Sequence, residues 1–247
     1  VLEKQLNAEY RAPLEIEYEK CYLRMLQPSK KKYAGMLVVE PDDEPKLCVS
    51  GLECTRRDNF PLLVDSTRRL LELVLRNADV DGALAYARET LAALERGDVP
   101  AARLTFTKGI TQSLDQYKAE PPHVAVARRL CARGEPVGKG SQIQYVVCRP
   151  QYRGGDKFVG ASEFCSQAHA PDVTFYSDFL RRAMKLILSQ CADAASVHHA
   201  LRYDVTTTVA RPVKGSLLAA WGCPAVTTTT RKKRKWGTAS ALTGESV

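Results

Sequence analysis

Ser29-Lys30-Lys31-Lys32-Tyr33-Ala34-Gly35 and, after an acidic loop, Gly51-Leu52-Glu53-Cys54-Thr55-Arg56-Arg57-Asp58-Asn59 are the two stretches on which the reading of this chain turns. Pro28-Ser29 signals a turn, and the apolar run from Tyr33 to Val39 reads as a strand. Three lysines therefore fall on a turn entering a strand. Successive strand side chains point to opposite faces, so the lysines cannot all face one way. At least one points across the sheet toward something that tolerates a cation. A nucleic-acid duplex supplies phosphates and minor-groove acceptors for such a role. The other reading is a solvated surface run. Arg56 and Arg57 stand just before a helical pattern. They either grip phosphate through bidentate hydrogen bonds or pair within the chain with Glu53 or Asp58.

Working outward, Leu14, Ile16 and Tyr18 alternate with Glu15, Glu17 and Glu19, which predicts a half-buried strand within residues 13–26. Lys46 to Ser50 predicts a third strand, with residues 41–45 as the hairpin loop. A helix is expected to open near Asn59 with Pro61 in its first turn and Phe60, Leu63, Thr67, Leu70, Leu71 and Val74 inward. Asp81 is expected to cap a second helix that stops at Gly97, and a third runs from Pro121-Pro122 to Gly134. Tyr145 to Val147 reads as a strand, and Asp172 as the cap of a fourth helix with Tyr176, Phe179, Leu180, Ala183 and Ile187 on one face. The fold class expected is α+β: a small antiparallel sheet followed by a mainly helical part. Residues 205–247 read as a basic, weakly structured tail.

Composition narrows the class. The chain has 247 residues, enough for one or two domains with a real core. No apolar run approaches the ~18 residues of a membrane span, and no leader pattern is read at the start, so an intracellular protein is expected. Eight cysteines lack any CxxC pair and read as reduced thiols. The net charge of +8 is concentrated late: residues 201–247 hold eight Lys/Arg against two Asp/Glu. Such a balance suits a polyanionic partner. Arg231-Lys232-Lys233-Arg234-Lys235 reads as a nuclear address or a DNA arm, or as a solvated tail. The adjacent acids Asp42 and Asp43 read as a solvated loop, and His123 as part of a helix start.

The two opening motifs, with the acidic loop between them, resemble DNA polymerases of family B, most closely the delta branch. Members carry a KKRY-type motif, a strand hairpin, and a G-[IL]-E-x-x-R-R-D stretch that opens the thumb. Here these fall on Lys30, Lys31, Lys32, Tyr33, then Gly51, Leu52, Glu53, Arg56, Arg57 and Asp58. Pro122-His123-Val124, Gly140 with Tyr145-Val146-Val147, and Asp172 with Tyr176 are similar to later thumb segments. Ser141, Gln142 and Gln144 depart from the Asp, Arg and Pro preferred there. The likeness covers about residues 10–190.

The resemblance implies residues 1–58 as the end of the palm, 59–204 as the thumb and 205–247 as a tail. It implies a part of a DNA-directed DNA polymerase acting in replication. Lys30, Lys31, Lys32, Tyr33, Arg56 and Arg57 would contact primer-template DNA; for Tyr33 a packing role stays equally open. The family's D-x-x-S-L-Y-P-S and Y-G-D-T-D-S motifs are not in this sequence. No catalytic or metal-binding residue is therefore assigned, and Mg2+ is expected to be held in the complete polymerase but not by this chain. Expected partners are the DNA, the N-terminal polymerase portion and a sliding clamp or processivity factor, with no membrane. The expected location is the nucleus or a site of viral DNA replication. The alternative is a noncatalytic DNA-binding relic of a polymerase.

Overall fold

The computed structural model describes residues 2–10, 13–39, 44–149, 157–164 and 169–202. The loop acids Asp42 and Asp43, the basic run at 231–235 and the expected tail lie outside them. Helix α1 (Leu2–Glu9) leads through an extended segment into β1 (Cys21–Ser29), β2 (Lys32–Val38) and β3 (Lys46–Ser50), an antiparallel sheet in the order β1-β2-β3. A 3-10 turn, Glu53–Thr55, precedes α2 (Pro61–Leu71), which continues as a π-helical turn over Glu72–Arg76. Then come α3 (Val80–Arg96), β4 (Phe106–Gly109), α4 (Pro122–Ala132), β5 (Gln142–Val147), β6 (Phe158–Gly160), α5 (Val173–Leu188) and α6 (Ala194–Ala200). Strands β4, β5 and β6 make a second antiparallel sheet. The described residues thus hold two small antiparallel sheets and six α-helices. No helix among them is long and apolar enough to cross a membrane.

Several expectations change. The first strand begins at Cys21, and Leu14 to Lys20 joins no ladder. The register gives the reason: β2 ends at Val38 opposite Cys21, so residues before 21 have no neighbouring strand. Alternation creates a strand only where a second backbone can satisfy its N–H and C=O groups. At Ile16 the Asn7 side chain does this instead, accepting from the Ile16 N–H at 2.6 Å and donating to its carbonyl at 2.7 Å. Leu14 and Tyr18 each remain 67% exposed. The second helix is capped by Asp79, not Asp81: the Asp79 carboxylate accepts from the Gly82 N–H at 2.8 Å. The second part is less helical than expected, because β4 and β6 flank β5. Both are too short, at four and three residues, to display a period. Asp172 and Gly97 serve as expected: Asp172 accepts from the Phe175 N–H at 3.1 Å, and Gly97 ends α3 in the left-handed conformation.

The core joins both sheets to the helices. Phe60, Phe106, Tyr145 and Tyr176 are fully buried, and Phe106 stacks on Tyr145 with centroids 5.5 Å apart. The Tyr176 hydroxyl donates to the Leu104 carbonyl at 2.7 Å and accepts from the Val147 N–H at 2.8 Å, so a buried phenol is satisfied twice. Arg24 of β1 donates to the Leu75 and Arg76 carbonyls, both at 3.1 Å, at the end of the α2–π segment. A cation there meets the negative end of the helix dipole. Glu163, after β6, binds Arg129 of α4 at 3.1 Å and accepts from the Gly160 N–H at 3.0 Å. Ser66 on α2 and Ser177 on α5 are buried, and their hydroxyls find no hydrogen-bond partner among the described residues. Ser66→Ala and Ser177→Ala are each expected to stabilise by about 1 kcal/mol, since an unmet hydroxyl leaves the core. Urea unfolding reads this as a raised midpoint at constant slope; a lowered midpoint in both contradicts it.

Candidate nucleic-acid interface

The lysines owe their placement to a two-residue hairpin loop. Ser29 pairs with Lys32, which leaves Lys30 and Lys31 as the turn. Lys31 adopts φ 64°, the left-handed region that side chains other than Gly, Asn and Asp seldom enter. Lys30 and Lys31 are exposed and form no ion pair or hydrogen bond with any described residue. Lys32 begins β2 with its Nζ 3.9 Å from Glu53 Oε1. Tyr33 is half-buried, its ring edge-to-face with Tyr22 at 6.2 Å. Both readings of its role keep their ground: the ring packs, and its place beside the turn is unchanged.

The second motif arrives at the same edge through β3. Tyr33 pairs with Ser50, and Gly51 then turns beneath the lysines at φ 66°. A Cβ at Gly51 would stand 2.3 Å from the Lys31 carbonyl oxygen. Glycine is required here twice over, by conformation and by contact. Gly51→Ala is expected to cost at least roughly 1–3 kcal/mol from the backbone conformation alone and to push the lysine turn aside. Denaturant titration with a DNA-binding assay checks both; an unchanged midpoint would refute the contact.

Arg56 and Arg57 part company. Arg56 is turned onto Asp58 through Nε and an Nη, each at 3.3 Å, the intramolecular pairing the sequence left open. Arg57 is exposed, has no ion pair or hydrogen bond with a described residue, and lines a cavity of about 500 Å³. Asn59, Thr105, Thr107 and Gln144 line it too. Asp58 also receives a hydrogen bond from Lys108 of β4. Burial pushes the Asp58 carboxyl up, but the bonds from Lys108 and Arg56 outweigh that and hold it below the usual carboxylate value. Asn59 donates to Glu53 Oε2 at 2.8 Å and to the Glu53 carbonyl at 3.0 Å, which fixes the carboxylate that faces Lys32.

The two motifs thus place Lys30 and Lys31 on the hairpin turn, Lys32 and Tyr33 at the start of β2, and Arg56 and Arg57 after the 3-10 turn, with Glu53 holding Lys32 and Asp58 holding Arg56 and Lys108. Lys108 went unnoticed in the sequence, where Thr107-Lys108-Gly109 has no period and no motif to mark it. His123 sits in the first turn of α4 as expected, edge-to-face with Tyr117. Burial, and then the charge of Lys108, lower its pKa. Among the described residues no three His, Cys, Asp or Glu side chains converge to hold a metal ion.

A basic hairpin turn and an exposed arginine thus stand on a mixed α/β body of two small antiparallel sheets and six helices. The chain belongs to DNA polymerase family B, whose sequence profile matches residues 1–196. It is 38% identical over 173 residues to a DNA polymerase of Thermococcus sp. (strain 9oN-7), covering 70% of this chain and 22% of that one. It is 37% identical over 171 residues to one of Desulfurococcus sp. (strain Tok), covering 69% and 22%. The solved family B DNA polymerase of the hyperthermophilic archaeon Pyrobaculum calidifontis superposes with a TM-score of 0.57 at 28% identity, over 75% of this chain and 24% of that one. The chain thus spans under a quarter of the length of these relatives. They also correct the expected nuclear location: they are archaeal proteins, from cells without a nucleus.

Proposed function

We propose that this chain is the C-terminal palm-and-thumb part of a DNA-directed DNA polymerase, gripping primer-template duplex in replication. Residues 1–58 are read as palm, 59–204 as thumb and 205–247 as a basic tail, and the delta-like affiliation rests on the two motifs Lys30–Gly35 and Gly51–Asn59. The observation that carries the reading is that Lys30, Lys31 and Arg57 stand exposed and unneutralised among the described residues, while Glu53 takes Lys32 and Asp58 takes Arg56 and Lys108. Phosphates and minor-groove acceptors of a duplex are the ligands such cations take without regard to sequence.

Mg2+ is proposed to be held in the complete polymerase by carboxylates that are not part of this chain. The upstream polymerase portion is the partner proposed for the N-terminal face. Every large apolar side chain found exposed among the described residues lies between Leu6 and Val39, and Leu14, Tyr18 and Leu23 are each about two-thirds exposed. Exposed apolar side chains concentrated in one stretch of the chain suit a contact surface. A sliding clamp or processivity factor is a further proposed partner of the complete protein.

The test is fluorescence anisotropy of this chain on a labelled primer-template duplex across a salt series. Binding is expected to weaken linearly on logarithmic axes, with a slope of about −3 or steeper for three free cations. No binding at low salt overturns the reading.

A further inference from the structure

Two irregular elements meet at one pair of hydrogen bonds. On β1 the ladder breaks between Tyr22, opposite Leu37, and Met25, opposite Gly35, so Leu23 and Arg24 together face one residue of β2. This is a β-bulge, a device that re-aims a side chain. At the far end of α2 the helix widens over Glu72–Arg76 into a π-helical turn, a rare form frequently found at functional sites. Arg24 reaches from the bulge to the end of that turn, where Nη1 donates to the Leu75 and Arg76 carbonyls, both at 3.1 Å. The turn in its own right reaches toward the opposite edge of the sheet. Arg76 Nη1 binds Glu44 Oε1 at 2.6 Å, and its Nη2 donates to the Pro45 carbonyl at 3.4 Å, just before β3. Strands β1 and β3 are the two edges of the sheet, so one turn of helix is held from both.

The hydrogen bonds within the turn define a second state. The Asn77 N–H donates five residues back, to the Glu72 carbonyl at 3.2 Å, while the Asp79 N–H takes the Leu73 carbonyl at 2.9 Å. In a regular α-helix the Asn77 N–H belongs to the Leu73 carbonyl. Asn77 and Asp79 therefore compete for one acceptor. With Asp79 on it, the chain turns through Ala78 at φ 55°, a left-handed conformation that a residue with a Cβ seldom enters, and Asp79 is placed to cap α3. With Asn77 on it, α2 runs on as an α-helix and the elbow into α3 loses its tie. Arg24 favours the first arrangement. The π turn presents both of its acceptors together, and rewinding to fewer residues per turn rotates them away from β1. Arg24, Arg76 and Glu44 are all exposed, so water can replace either hold when the turn rewinds.

We propose that Arg24 is a latch on a two-state elbow. In place, it keeps the end of α2 in its π form and the first sheet fixed against the α2–α3 elbow. Released, the turn rewinds to α, and the sheet with its Lys30–Lys31 turn is freed to move relative to the helices. The latch needs nothing outside this chain and no DNA. Leu23 and Met25 stand on either side of it, 66% and 49% exposed, so a neighbour seated on β1 acts on the latch directly. That this neighbour is the upstream polymerase portion rests on the reading above; the latch does not.

Native-state amide hydrogen exchange, read by NMR on the full chain without DNA, tests it in the parent, Arg24→Ala and Arg24→Lys. Arg24 is exposed, so its loss leaves the core in place. In Arg24→Ala the Asp79 amide is expected to exchange at least about 10-fold faster, while Asn77 keeps its protection and the Cα shifts of Glu72 to Arg76 stay helical. Arg24→Lys, which returns a donor to the two carbonyls, is expected to recover most of the Asp79 protection. If Asp79 exchanges as in the parent, Arg24 is a surface contact and no latch. If Asn77 loses its protection and the shifts move to coil values, Arg24 only guards a helix end against fraying, and the two-state elbow is overturned. None of these readouts depends on whether the lysine turn grips a duplex, so the two proposals stand or fall separately.

Discussion

Changing Lys30, Lys31 and Arg57 together to Ala is expected to weaken duplex binding about 100-fold at low salt and to flatten its salt dependence by about three phosphate contacts. The three come from two separate segments of the chain, and none spends its charge on another described residue. Each can therefore displace a counterion from DNA at no intramolecular cost. Lys32 and Arg56 differ. Lys32 faces Glu53 and Arg56 is held by Asp58, so either must leave a partner to reach a phosphate. Lys32→Ala and Arg56→Ala are each expected to cost less than about 5-fold, in keeping with the small value of exposed ion pairs. Anisotropy on one labelled duplex ranks all the variants. Equal losses for Arg56→Ala and Arg57→Ala would contradict the division of labour between the adjacent arginines.

Phe106→Ala is expected to destabilise the chain by about 3–5 kcal/mol, and Phe106→Leu by about 1.5 kcal/mol or less. Phe106 is fully buried on β4, with Phe60 of the α2 entry at 5.0 Å, Tyr145 of β5 at 5.5 Å and Tyr176 of α5 at 6.0 Å between ring centroids. It is the ring through which the second sheet meets the helices. Removing it leaves a cavity bordered by the rings of Phe60, Tyr145, Phe175, Tyr176 and Phe179, and the two hydrogen bonds of the Tyr176 hydroxyl hold that ring against collapse. Denaturant unfolding measures the loss. A cost below ~1 kcal/mol for the Ala variant would show that the rings repack around the gap.

The parts legible in the sequence were those set by local chemistry. Pro28-Ser29 before three lysines marked the hairpin turn, Pro61 marked the start of α2, and Asp172 and Gly97 marked a cap and a stop. Spacing at three and four residues placed Phe60, Leu63, Leu70 and Tyr176 inward, and all four are buried. Asp79 lost out to Asp81 in the reading because both are good capping residues two positions apart, and only the backbone decides which carboxylate meets a free N–H. The strand expected at residues 13–26 was misplaced for a different reason. Its alternation is real, but alternation states which faces differ, not whether a partner strand is present.

The family and the residue types at the edge were determined by the sequence itself: two motifs, their order, and the glycine that must stand between them. Which cations remain free was decided only by tertiary structure. Four positive side chains crowd into Lys32, Arg56, Arg57 and Lys108, and two carboxylates can hold only some of them. Asp58 takes Arg56 and, from fifty residues away, Lys108, while Glu53 takes Lys32. Arg57 is left over because charge pairing depends on distances between chain segments, and no local spacing encodes these. The pairing of Glu95 with Arg181 and Arg202 is likewise invisible in the sequence, since the three span more than a hundred residues and meet only when the helices pack.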